Sequence, residues 1–212
     1  MTNADPHAAS QPLIAGAPLA EARAAMLMIH GRGANAESIL GLAGEFDAPG
    51  WAFVAPQASG NTWYPLSFLQ PLERNEPYLS SALAAVSRTF EQIVAQGITA
   101  ERIVLLGFSQ GACLASEWAA RNARRLGGVV ALSGGLIGPD GTPRDYAGSL
   151  DGTPVFLGCS DRDGHIPAAR VEESASVFRR LGASVTARLY PNMGHTVNED
   201  EIAWIQELIG SQ

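Results

Sequence analysis

Arg102-Ile103-Val104-Leu105-Leu106-Gly107-Phe108-Ser109-Gln110-Gly111-Ala112-Cys113-Leu114-Ala115 decides the fold. Its first half is an apolar, β-branched run, the signature of a strand buried on both faces. Its last part opens a small-residue, helix-favouring run that continues to Ala120. Between them, Gly107-Phe108-Ser109-Gln110-Gly111 is Gly-x-Ser-x-Gly set between a strand and a helix. In that setting the glycines relieve a sharp turn, and the serine stands exposed at the end of a sheet. The following helix aims its first N–H groups at any negative charge formed there. The turn therefore marks Ser109 as a candidate nucleophile.

The flanks repeat the pattern. Outward from the turn, apolar runs at Ala24–Ile29, Trp51–Ala55, Gly128–Leu132, Pro154–Gly158 and Val185–Tyr190 read as strands. Helical spacing predicts helices over 36–43, 80–96, 112–122, 168–181 and 200–209. Leu13, Ile14 and Leu19 fit a short edge hairpin around Gly16. Strands alternating with helices give an α/β class with a mostly parallel sheet covered on both faces. Two connections stay irregular: 57–79, rich in aromatics and proline, and 136–150. Neither is long enough for a cap domain. Residues 1–12 read as a flexible tail holding His7, and 13–212 as a single domain.

The 212 residues suffice for one sizeable core, with 46% hydrophobic and 17% charged residues. The net charge of −7 and the absence of long Lys/Arg clusters speak against a nucleic-acid partner. No apolar run is long enough to span a bilayer, so no stable membrane insertion is expected. The first residues carry no signal-peptide pattern, and the two cysteines imply no disulfide framework, which fits a cytoplasmic protein.

Polar residues gather at strand ends: His30-Gly31-Arg32-Gly33, Ser109, Asp161-Arg162-Asp163-Gly164-His165 and Gly194-His195. In an open parallel sheet the strand carboxyl ends share one edge, where ligands bind. The order Ser, acid, His is that of α/β-hydrolases. A serine hydroxyl needs a base, and a base imidazole needs a carboxylate to fix its tautomer. His195 is the base expected from this order. His30 is its rival, though its place before two glycines suits a turn-shaping role. The acid is Asp161 or Asp163; spacing alone does not choose. His165 reads as a loop residue. Glu117, Glu172 and Glu173 read as solvated helix faces. Cys159, Asp161, Asp163 and His165 alternate but match no zinc or calcium spacing, so no metal is expected. No phosphate-binding glycine loop follows a strand, so no nucleotide cofactor is expected either.

On His30-Gly31-Arg32-Gly33, Gly107–Gly111, Asp161–Pro167 and Gly194-His195, the chain resembles the phospholipase/carboxylesterase family of α/β-hydrolases, which includes acyl-protein thioesterases. The resemblance runs from about Leu13 to the end. It implies a serine hydrolase on short-to-medium acyl esters, with Ser109 as nucleophile, His195 as base and Asp163 as acid. It also implies backbone oxyanion donors at Arg32 and Gln110, substrate contacts from His30, Gly31, Trp63 and Tyr64, and no cofactor. Arg32 departs from the leucine usual in the thioesterase branch, and its side chain is expected to reach into the cleft and pair with a substrate carboxylate. A thioesterase, or a non-catalytic binding protein on the same fold, are the other readings. An exposed aromatic rim around 57–79 would support a homodimer.

Overall fold

A computed structural model describes residues 5–9 and 11–212. Seven strands form one sheet: β1 (Leu13–Gly16), β2 (Ala24–Ile29), β3 (Trp51–Ala55), β4 (Ile103–Phe108), β5 (Gly128–Leu132), β6 (Pro154–Ser160) and β7 (Ser184–Tyr190). Their spatial order is β1-β3-β2-β4-β5-β6-β7. All neighbours run parallel except β1, which lies antiparallel on β3, with Leu13 opposite Ala55. The expected hairpin around Gly16 does not form. That segment adds a short edge strand to β3 instead, because its backbone groups find partners there rather than in Leu19.

The helices are α1 (Ala36–Leu40), α2 (Tyr78–Ala95), α3 (Gln110–Arg121), α4 (Ala168–Arg180) and α5 (Glu199–Gly210). The period of two along β2 sorts them into layers. Ala25, Leu27 and Ile29 join the core under α2, α3 and α4, while Ala24, Met26 and Met28 join the core under α1 and α5. All six are buried, which is why this strand reads as an unbroken apolar run. The 133–153 connection between β5 and β6 carries no helix.

The chain leaves β2 toward β3 on one side and later returns to β4 on the other. The carboxyl ends of β2 and β4 are therefore the point where the winding reverses and a crevice opens. Ile29 pairs with Gly107 at this point, so the loops after both strands emerge side by side.

Residues 5–9 are not loose. His7 is buried at 1% exposure, its backbone N–H donates to Ser81 Oγ, and Arg88 pairs with Asp5. The two free cysteines, Cys113 and Cys159, are both buried.

Candidate active site

The turn after β4 brings two backbones into contact that side chains would keep apart. A Cβ on Gly111 would lie 2.0 Å from the Ile29 carbonyl oxygen, and one on Gly107 would lie 2.3 Å from the Gly111 carbonyl oxygen. Glycine at both positions lets α3 start directly against the end of β2. Ser109 takes φ 55° and ψ −119°, a strained conformation for a residue with a Cβ. The strain aims its hydroxyl outward instead of into the α3 cap, where it makes no capping bond.

Three side chains from three strand ends meet in line. His195, after β7, has Nε2 2.8 Å from Ser109 Oγ and Nδ1 2.6 Å from Asp163 Oδ2. A carboxylate accepts, so Nδ1 carries the proton and Nε2 is the lone pair facing the hydroxyl. Asp163, after β6, also accepts at Oδ1 from the backbone N–H groups of His165 (2.8 Å) and Ile166 (3.1 Å). Its burial raises its pKa, but the His195 bond and these two N–H groups outweigh the burial and hold it below the usual carboxylate value. The side chain is fully shielded from solvent, whereas His195 is partly open to the cleft. Asp161 instead accepts from the Asn192 N–H and stays away from His195.

The N–H groups of Arg32 and Gln110 stand at the ends of β2 and β4. Among the described residues neither is donated to a protein acceptor, and Gln110 opens α3. The Gln110 side chain has another task. Its Oε1 accepts from Trp63 N–H and its Nε2 donates to Tyr64 O, pinning the 57–79 segment over the turn.

Beside Ser109 lies a cleft of ≈ 500 Å³, whose walls include Gly31, Arg32, Tyr64, Phe68, Cys113 and His165. His30 and Trp63, expected to touch substrate, are fully buried beneath it. His30 Nε2 accepts from Ala58 N–H and its Nδ1 faces Gly31 O at 2.8 Å, so Nδ1 is the protonated nitrogen. The Trp63 indole N–H donates to His30 O. His7 repeats the device, accepting from Ser59 N–H at Nδ1 and donating from Nε2 to Trp63 O. Burial lowers the pKa of both histidines. Both rings thus act as neutral clamps on the 57–64 backbone. The aromatics Trp63, Tyr64 and Phe68 turn inward and Tyr78 alone of this segment's aromatics is exposed, so the expected exposed aromatic rim is reduced to a single ring.

Two residues read as bystanders take part in the site's architecture. His165 lies on the cleft with its ring edge-on to His195, centroids 4.9 Å apart. Glu117 is not solvated: it is 1% exposed, accepts from Ile137 N–H and Tyr146 O–H, and pairs with Arg121. It ties the 136–150 loop to α3. The Cys159 thiol is 3.7 Å from Asp163 Oδ2 and burial first of all lifts its pKa to about 12, so it stays protonated. Among the described residues no cluster fit for a metal ion occurs.

The arrangement can deliver a deprotonated serine oxygen to an electrophilic carbon beside a pair of N–H donors. The phospholipase/carboxylesterase family model matches residues 14–211. Acyl-protein thioesterase 1 of Gibberella zeae is 30% identical over 171 residues, which cover 77% of this chain and 68% of that protein. A crystal structure of a phospholipase/carboxylesterase from Dyadobacter fermentans shares 42% identity, with a TM-score of 0.91 over 95% of this chain and 96% of that one. The Bacillus cereus carboxylesterase shares the fold at 20% identity, with a TM-score of 0.74 over 96% and 95% of the two chains.

Proposed function

The chain belongs to the phospholipase/carboxylesterase family of α/β-hydrolases, and from that premise we propose that it cleaves carboxylic esters through an acyl-enzyme on Ser109. Hydrolysis of an ester bond is the family's chemistry; the assignment of steps to residues is our reading. The observation that carries it is the line Ser109 Oγ, His195 Nε2, His195 Nδ1, Asp163 Oδ2, at 2.8 and 2.6 Å.

His195 takes the Ser109 proton as Oγ attacks the carbonyl carbon. The carbonyl oxygen becomes an anion facing the N–H groups of Arg32 and Gln110, with the positive end of α3 behind them. Asp163 keeps Nδ1 protonated and stabilises the imidazolium. His195 then hands its proton to the leaving alcohol, which departs and leaves an acyl ester on Ser109. Water enters, gives a proton to His195 and attacks the acyl carbon. The acid is released as the proton returns to Ser109. No cofactor is required. The cleft's modest volume and its partly apolar walls of Tyr64, Phe68 and Phe108 favour short-to-medium acyl groups.

A thioester substrate is the second reading, favoured by the match to acyl-protein thioesterase 1. The same geometry serves both, since only the leaving atom differs.

The test is hydrolysis of p-nitrophenyl acetate, butyrate and octanoate by wild type and Ser109→Ala, with fluorophosphonate labelling of both and a thioester of the same acyl chain alongside. Activity and labelling vanish together in Ser109→Ala, and turnover favours the shorter chains. Hydrolysis that survives in Ser109→Ala overturns the assignment, and a folded wild type that neither turns over nor labels favours a binding protein instead.

A further inference from the structure

The whole chain is acidic, at −7, yet the cleft beside Ser109 is not. Its lining carries Arg32, His165 and His195 and no aspartate or glutamate. Asp163 stands behind His195, shielded from the cleft, with its oxygens bonded to His195 and to two backbone N–H groups. Its charge therefore faces the imidazole and not a ligand.

Arg32 holds a full positive charge there without a neutralising partner. Its guanidinium donates from Nη1 to Pro65 O at 2.8 Å and from Nη2 to Leu66 O at 2.7 Å. Its Cζ sits 6.0 Å from the Tyr64 ring centroid. Carbonyl dipoles and a ring orient the fork but carry no net charge. Two of five donors are used, and among the described residues no carboxylate pairs with it. The chain's net charge of −7 disfavours an anion at long range, so a fixed cation at the cleft has a selective effect. Across the nucleophile, the His165 ring presents further N–H capacity beside His195, where a leaving group departs.

We infer that the cleft selects esters that carry an anionic group, a carboxylate or phosphate within a few bonds of the scissile carbonyl, with Arg32 as the specificity-determining cation. The inference rests on the hydrolase reading above and names its substrate class. The fork is already held by the 65–66 backbone, so binding an anion orders little further side-chain freedom. A neutral ester would leave the charge solvated and gain nothing from it.

Two matched pairs test this and distinguish an anion on the acyl side from one on the alcohol side. Mono-p-nitrophenyl adipate is compared with its methyl ester, and p-butyryloxybenzoate with methyl p-butyryloxybenzoate, each rate corrected for spontaneous hydrolysis. At low ionic strength the anionic member of at least one pair shows a kcat/KM roughly tenfold above the neutral one, the size of a charge-assisted contact at a partly open site. That ratio shrinks at about 1 M NaCl, where the screening length falls to about 3 Å. It drops toward unity in Arg32→Gln and is largely kept in Arg32→Lys. Should Arg32→Gln fail to fold, the wild-type ratio and its salt dependence still decide. Neutral members turned over as well as anionic ones in both pairs overturn the inference and leave the hydrolase reading standing, as does an advantage that survives in Arg32→Gln. A wild type inert toward all four esters overturns both.

Discussion

At the residue scale, the chemistry hangs on which nitrogen of each histidine carries the proton. His195 is set by Asp163, which can only accept, so its Nε2 lone pair faces Ser109. Asp163→Asn can satisfy the same position by donating its amide N–H to Nδ1, which turns the imidazole into the wrong tautomer. We expect kcat to fall by roughly 10³- to 10⁴-fold with the thermal transition nearly unchanged, checked by ester turnover beside circular dichroism. Asp161→Asn, two residues away but bonded to Asn192 N–H, should leave kcat within about threefold, because it touches no group that moves a proton. The pair discriminates between the two acids that spacing in the chain left open. Residue type and order pointed to Ser109 and His195, since strand ends converge on one edge. Choosing Asp163 by spacing alone was out of reach, because both acids lie in one turn and only three-dimensional direction separates them.

At the element scale, the helix after the turn and the loop after β5 are locked by a carboxylate that sequence periodicity hides. Glu117 sits on α3 among residues that are almost all buried, so a polar position there does not mark a solvent face. Its partners Ile137, Arg144 and Tyr146 come from a loop with no period of its own, which is why their meeting could not be read in advance. The strands were legible because parallel strands covered on both sides are continuous apolar runs, and Trp51–Ala55 and Gly128–Leu132 are such runs end to end. The 57–79 segment was legible as a loop but not as a wall of the cleft, because the hydrogen bonds that place it come from His7, His30 and Gln110, distant in the chain. Removing one partner of a buried charge cluster strands the others. Glu117→Ala should cost about 3 kcal/mol by urea unfolding and expose the 136–150 loop to protease. Glu117→Gln should cost less, since its amide oxygen still accepts from Ile137 N–H.

At the scale of the whole molecule, two sets of buried groups tilt stability in opposite directions with pH. His7 and His30 are held neutral by burial, so their pKa values lie below the ordinary 6.5. As pH falls below about 6.5, the unfolded chain takes up protons that the folded one refuses, and their contribution to stability is progressively lost. Glu201 does the reverse. It is fully buried on α5, where Oε2 accepts from Asn198 N–H and Oε1 finds no partner among the described residues. Burial lifts its pKa from 4.5 to about 7. The folded state then keeps a proton that the unfolded state has released, and stability falls as pH rises from about 4.5 through 7. The sum is a shallow pH profile in wild type between about pH 4.5 and 6.5, where each slope masks the other. Glu201→Gln separates them. The amide oxygen keeps the cap to Asn198 while no longer needing to ionise in the interior, so the variant should match wild type near pH 5 and exceed it by on the order of 2 kcal/mol at pH 8. The remaining profile should then rise with pH between about 5 and 6.5, the signature of His7 and His30, and His30→Asn in the Glu201→Gln background should flatten that rise. Urea unfolding across pH 5 to 8 reads all three chains. A Glu201→Gln profile that runs parallel to wild type would show that the buried carboxyl does not set the alkaline slope.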